Sequence, residues 1–272
     1  MCRVPGVGDM LITAGQPVYS STPQARESYS REVHSQTTMA STSDLPLWVE
    51  ACRTLAPAAA WVVFLSPMST LRGVARRKSV GGLPALPYSS MVLNCSLWVI
   101  YSVLKNEPAI RYANTVGLAL GLYYFYLFHQ NCDAKATGLP GTLQQHVQGT
   151  SLVIGVALMI SVSLPRDVAA EVIGKAAVLF CVVLFASPLS VLKEAIIARS
   201  SQNIPVPFAV ASTINAFLWS VSGVLALRDV NVWFPNILGL AFSIAQLVVI
   251  FMYGNGEGDK KDLSEVEVPL TR

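Results

Sequence analysis

Ser66-Pro67-Met68-Ser69-Thr70-Leu71 returns 121 residues later as Ser187-Pro188-Leu189-Ser190-Val191-Leu192. The same offset lays Ser79 and Leu83-Pro84 on Ser200 and Ile204-Pro205, Asn94 on Asn215, and Trp98 on Trp219. One inserted residue then moves the offset to 122, and Asn114-Thr115-Val116-Gly117 lies on Asn236-Ile237-Leu238-Gly239. Shared leucine, valine or alanine would follow from apolar composition alone. Shared proline, asparagine, tryptophan and glycine do not, so the chain reads as an internal duplication.

The surrounding composition is that of an integral membrane protein. Of 272 residues, 53% are hydrophobic and 13% charged, with mean hydropathy +0.50, against about 25% charged in an ordinary soluble domain. A net charge of +3, with no basic run longer than Arg76-Arg77-Lys78, excludes a nucleic-acid surface. The five cysteines (2, 52, 95, 132 and 181) form no CxxC or Cys/His cluster and read as packing residues. His34, His129 and His146 have no ligand-like spacing, so neither a metal nor a cofactor is expected.

Apolar stretches at 47–71, 86–104, 109–129, 149–165, 170–192, 204–227 and 231–253 predict seven transmembrane helices, most near the ~20 residues that a bilayer requires. Three helices repeat as three around one unpaired helix, which gives both triplets the same orientation. The expected fold class is therefore all-α integral membrane, with two parallel three-helix repeats joined by a linker helix (3+1+3). The repeats cover 47–129 and 170–253, and the loop and linker helix 130–165. Residues 1–44, rich in Ser, Thr, Gly and Pro, are expected to be a disordered tail without the apolar core of a signal peptide, and Met39 offers an alternative start. Residues 254–272 are expected to form a solvated cytosolic tail. Arg72, Arg76, Arg77, Lys78, Lys135, Lys193 and Arg199 fall in the loops after the first, third and fifth helices. That bias places the N-terminus outside and the C-terminus in the cytosol. The plasma membrane is the expected location, with an endomembrane or the vacuole as alternatives.

The chain resembles the SWEET (MtN3/saliva) sugar transporters over about residues 47–253. The resemblance is carried in the first half by LSPMSTL (65–71), KSVGGLPALPY (78–88), LNCSLWVIYS (93–102) and ANTVG (113–117). In the second half it is carried by ASPLSVL (186–192), SSQNIP (200–205), INAFLWSVSG (214–223) and WFPNILG (233–239). It implies a fold of two three-helix halves and bidirectional, facilitative transport of mono- or disaccharides by alternating access. A small neutral sugar of the glucose or sucrose class, membrane lipid and a homo-oligomeric partner are implied with it. Two departures stand out: Tyr101-Ser102 replaces the family's Tyr-Gly, and Gly121 occupies a place often acidic in plant members.

Asn94, Asn114, Asn215 and Asn236 lie within apolar spans, where an unpaired polar group is costly. Interhelical hydrogen bonding would explain any one of them. As symmetry-related pairs beside Trp98 and Trp219 they suit a sugar, whose hydroxyls need donors and acceptors and whose C–H face stacks on aromatic rings. The resemblance implies that Asn114 and Asn236 contact the sugar and that Trp98 and Trp219 stack on it. Asn94 and Asn215, one turn before the tryptophans on the same face, are expected in or behind the pocket. Val63 and Leu184 match positions that influence substrate size, although ordinary packing accounts for them equally well. The resemblance further implies hinge prolines at Pro67, Pro87, Pro188 and Pro205, and an outer gate of Tyr101 and Asp229 with Lys105 nearby.

The central portions of the spans contain no Asp, Glu, Lys, Arg or His, and ion-coupled carriers need such a group near the midplane. A uniporter is therefore expected. Two other readings compete with it. A PQ-loop amino-acid carrier shares the three-helix unit, but Pro67 is followed by Met68 and Pro188 by Leu189, not by glutamine. A non-transporting seven-helix receptor has no use for duplicated Asn and Trp positions. No nucleophile, base and orienting group can be assembled within the spans, so no enzyme is expected.

Overall fold

The computed structural model describes residues 45–132 and 141–254, and the expected tails and the loop carrying Lys135 lie outside them. Among the described residues every regular element is helical: α1 (Leu47–Leu65), α2 (Met68–Arg77), α3 (Leu86–Lys105), α4 (Pro108–Gln130), α5 (Leu143–Ser163), α6 (Arg166–Leu184), α7 (Ala186–Ala198), α8 (Val206–Val221) and α9 (Val230–Tyr253). The repeated Ser-Pro dipeptides mark breaks. Proline lacks an N–H and fits only a helix's first turn without disruption. Accordingly α1 stops at Leu65 before Pro67, and α7 restarts at Ala186 with Pro188 in its first turn.

Among the described residues five helical spans are long and apolar enough to cross a membrane: Leu47–Arg77, Leu143–Ser163, Arg166–Ala198, Val206–Ala226 and Val230–Tyr253. The chain is an integral membrane protein. Helices α3 and α4, at 20 and 23 residues, are long enough but more polar. The reason lies in packing: α3 is enclosed by α4, α5 and α6, so little of it needs to match lipid. Two of its buried serines bond their own helix, Ser96 Oγ donating to Val92 O (2.7 Å) and Ser102 Oγ to Val99 O (2.7 Å).

Helix α5 starts six residues earlier than the apolar stretch from 149 implies. Thr142 and Gln145 form a reciprocal capping box, Thr142 Oγ1 accepting from Gln145 N and Gln145 Oε1 from Thr142 N. That device satisfies two otherwise orphaned N–H groups and carries the helix through its polar first turn.

The duplication is written into the backbone. Helix α3 packs on α4 as α8 packs on α9, and α1 on α4 as α6 on α9. Across the halves, α1 packs on α8 and α6 on α3, while α5 lies against α3 and α6. Lys78 (φ 52°) and Arg199 (φ 48°) end α2 and α7 in the left-handed conformation, and Asn106 (φ 58°) and Arg228 (φ 49°) do the same after α3 and α8. Such φ values are uncommon without glycine. The change of offset from 121 to 122 also has a structural cause. Residues Ser222–Ala226 form a single π-helical turn, the usual way a helix accommodates one extra residue, and α3 has none.

Candidate functional site

Asn94 and Trp98 on α3, and Asn215 and Trp219 on α8, are i,i+4 pairs and so share a helix face. Both faces border a central cavity of about 190 Å³, room for roughly six waters at ~30 Å³ each. Its wall is made of repeat-related pairs. Asn94 faces it with Asn215, Trp98 with Trp219, and Asn114 with Asn236. Ala60 and Cys181, Phe64 and Phe185, and Ile110 and Val232 complete the pairing, and Pro235 is added on one side. Among the described residues no Asp, Glu, Lys, Arg or His is in that wall.

Sequence reasoning missed the aromatic pair. Val63 and Leu184 are half-buried and absent from the wall, whereas their neighbours Phe64 and Phe185 line it. One residue turns a helical side chain by about 100°, enough to change its face. Phe64 and Phe185 are themselves separated by 121 residues, a signal that the repeat already carried.

The Asn114 and Asn236 amides are held alike. Asn114 Nδ2 donates to Ile110 O (2.9 Å) and Asn236 Nδ2 to Val232 O (2.7 Å). Each amide spends one of its two N–H donors on its own helix, which leaves the second N–H and the oxygen for other partners. The other pair is not alike: the Cys181 thiol donates to Asn94 Oδ1 (3.3 Å), while Asn215 Oδ1 is buried without a partner.

Trp98 joins the cavity wall to a polar lock between α3 and the start of α9. Trp98 meets Tyr101 edge to face, with centroids 5.5 Å apart. Tyr101 Oη donates to Asp229 Oδ2 (2.5 Å) and accepts from Asn231 Nδ2 (3.2 Å). Asp229 Oδ1 accepts from Asn231 N (3.0 Å) and so caps α9. Tyr101 is 1% and Asp229 8% exposed. Gly174 lets α6 approach this lock, because a Cβ there would stand 2.6 Å from the Tyr101 ring. Glu107, rather than Lys105 alone, flanks the lock and pairs with Arg53 at 3.8 Å. Burial pushes the Glu107 carboxyl above its ordinary range; Arg53 and Lys105 oppose the rise and Asp229 adds to it.

The four prolines expected as hinges stand at helix starts and breaks. Pro67 precedes α2, Pro205 is the N-cap of α8, and Pro188 is in the first turn of α7. Pro87 is the second residue of α3, as Pro207 is of α8. The prolines inside helices are Pro57 in α1 and Pro235 in α9, and Pro235 lines the cavity.

A family model described as "Sugar efflux transporter for intercellular exchange" matches the chain twice, over residues 54–136 and 171–258. The chain belongs to the SWEET family. It is 28% identical over 219 residues to the bidirectional sugar transporter SWEET9 of Arabidopsis thaliana, covering 76% of this chain and 83% of that one. It is 27% identical over 193 residues to the sugar transporter SWEET1 of Dictyostelium discoideum, covering 70% and 87%. The solved structure of a eukaryotic SWEET transporter aligns with a TM-score of 0.66 at 26% identity, covering 75% of this chain and 96% of that one. This SWEET protein thus belongs to a family of transporters, not of enzymes.

Proposed function

We propose that this SWEET protein carries a neutral sugar down its gradient in either direction. The observation that supports this most directly is the cavity wall. Repeat-related asparagines, tryptophans and phenylalanines surround it, with no ionisable carboxylate, amine, guanidinium or imidazole among its described residues to carry a proton. Asn114 and Asn236 accept sugar hydroxyls, Trp98 and Trp219 stack on its C–H faces, and Asn94 and Asn215 complete the polar contacts. A volume of about 190 Å³ suits one pyranose ring, and a disaccharide requires the cavity to widen.

In this reading α3 and α4 join the five apolar spans to make seven crossings. Residues 47–129 and 170–253 are parallel repeats, and α5 is the linker. The N-terminus lies outside, the C-terminus in the cytosol and the protein in the plasma membrane, in contact with lipid and as a homo-oligomer. Tyr101 and Asp229 close the outer side, and sugar passes when the halves rock about Pro67, Pro87, Pro188 and Pro205.

Labelled glucose and sucrose uptake into vesicles holding the purified protein tests this, with and without a proton gradient. Glucose flux that equilibrates without a gradient, and exceeds sucrose flux, is expected. Accumulation driven by the proton gradient, or no sugar flux, would overturn the reading.

A further inference from the structure

The offset that relates the halves pairs two acids as well as the asparagines. Glu107 and Asp229 stand 122 residues apart and are the N-caps of α4 and α9. Both hang from the end of the preceding helix in the same way: Glu107 N donates to Ser102 O (2.9 Å) and Asp229 N to Gly223 O (2.9 Å). Their carboxylates are answered differently. Asp229 receives the Tyr101 hydroxyl from the opposite half, whereas Ser222, the counterpart of Tyr101, donates to its own helix. Glu107 has an arginine instead: Arg53 Nη2 stands 3.8 Å from Glu107 Oε2, with both side chains 21% exposed. Position 174, which matches 53, is glycine, and a Cβ there would stand 2.6 Å from the Tyr101 ring. The second half keeps this site open for the tyrosine, and the first half fills it with a guanidinium.

We propose that Arg53 is a positioning residue of the outer gate, whose charge lets Glu107 and Asp229 stand together while Tyr101 holds the gate shut. This rests on the transport reading above, in which Tyr101 and Asp229 close the outer side. Asp229 is 8% exposed and bound to Tyr101, and Glu107 hangs from the residue that follows Tyr101. Two carboxylates in so dry a place repel each other. Burial raises the Glu107 carboxyl, Arg53 opposes the rise, Asp229 adds to it and Lys105 opposes it. Lys105 is exposed, so solvent screens its charge. Glu50 Oε2, 3.9 Å from Arg53 and without a hydrogen-bond partner, draws on the same guanidinium. Without that charge the two acids gain by moving apart, which favours an open outer side. A carrier that recloses slowly on one side turns over slowly.

The test is the initial rate of glucose uptake per folded protein in vesicles holding the full chain. Wild type is compared with Arg53→Gln, Arg53→Lys, Glu107→Gln and the double variant Arg53→Gln/Glu107→Gln. Arg53→Gln is expected to lower the rate about tenfold, between the effect of an exposed ion pair and that of a buried one. Arg53→Lys keeps the charge and should keep most of the rate. Glu107→Gln should make Arg53 dispensable, so that the double variant runs within about twofold of Glu107→Gln. An arginine that only braced α1 against α4 would leave the double variant as slow as Arg53→Gln. If Arg53→Gln alone does not fold, the double variant against Glu107→Gln decides. A double variant that stays slow or fails to fold, a lysine variant as slow as the glutamine one, or an Arg53→Gln as fast as wild type overturns this inference and leaves the sugar reading standing. Absence of wild-type sugar flux overturns the sugar reading, and this inference with it.

Discussion

Around the cavity the two halves agree almost residue for residue, but beneath the Ser-Pro breaks they diverge. In the first half Leu71, Val74, Tyr88, Tyr124 and Phe128 form a buried cluster, with Tyr88 and Phe128 rings 5.4 Å apart. Tyr124 Oη donates to Phe64 O (3.1 Å) and ties α4 to the break after α1. The second half keeps Leu192 and Ala195 at the positions of Leu71 and Val74, but its cluster is completed by Ile204, Ala209 and Val249, and Gln246 stands where Tyr124 does. On the proposed reading, sugar binding constrains the side chains that face the cavity in both halves, whereas the supporting ends need only stay folded. Two aromatic rings and a tyrosine bridge tie this end of the first half where the second half has Ala209, Ile250 and Gln246.

The largest expected effect comes from breaking the lock that has no counterpart in the second half. Tyr101→Phe removes the 2.5 Å donor to a buried Asp229, a loss of about 1.5–3 kcal/mol for a bond to a charged group. Position 222 is the repeat equivalent, and Ser222 Oγ bonds only its own helix at Leu218 O (2.6 Å). Ser222→Ala should cost under about 1 kcal/mol. Thermal unfolding in detergent measures both, and equal losses would contradict the asymmetry.

Gly117 and Gly239 offer a second contrast. A Cβ at Gly117 would stand 2.6 Å from Phe64 and 2.8 Å from the Cys95 sulfur, whereas at Gly239 it would stand 3.3 Å from Phe185. Gly117→Ala should destabilise by about 1–3 kcal/mol through overpacking, and Gly239→Ala by clearly less. A reversed order in the same unfolding assay would refute the tighter first half.

Tyr124→Phe sharpens the comparison further. It removes the hydroxyl bound to Phe64 O, worth about 1 kcal/mol, and should raise hydrogen exchange at residues 64–70 toward the rate at 185–191. No change in exchange would show that the bridge does not stiffen this end.

The smallest effect concerns Glu107. Burial raises its carboxyl in the folded protein, so ionisation costs more folded than unfolded. Its favourable contribution is present below the ordinary carboxylate range and is lost as pH rises through the raised value. Glu107→Gln should therefore raise the unfolding temperature slightly at neutral pH, and the gain should vanish toward pH 4. A loss of stability at neutral pH would mean that the Arg53 pair outweighs burial.

Much of this was legible in the residues. Proline, asparagine, tryptophan and glycine recurring at one offset located the halves, and Asn94, Asn114, Asn215 and Asn236 do meet at one cavity. What stayed hidden depends on rotation and contact. Whether residue 63 or 64 faces inward turns on one 100° step beside a break. The left-handed Lys78 and Arg199 carry no glycine signal. The π turn was visible only as a one-residue slip in the offset, and α3 looked like an ordinary span until its serines proved to be enclosed by protein. Cys181, read as packing, donates to Asn94 Oδ1 at 3.3 Å, a contact that no spacing in the sequence announces.

The central claim is that both halves contribute equivalently to one sugar site. Uptake of labelled glucose by Asn114→Ala and Asn236→Ala, measured side by side with wild type in the same vesicles, tests it most directly. Collapse of flux in both variants is predicted. Flux indifferent to either asparagine would contradict the shared site.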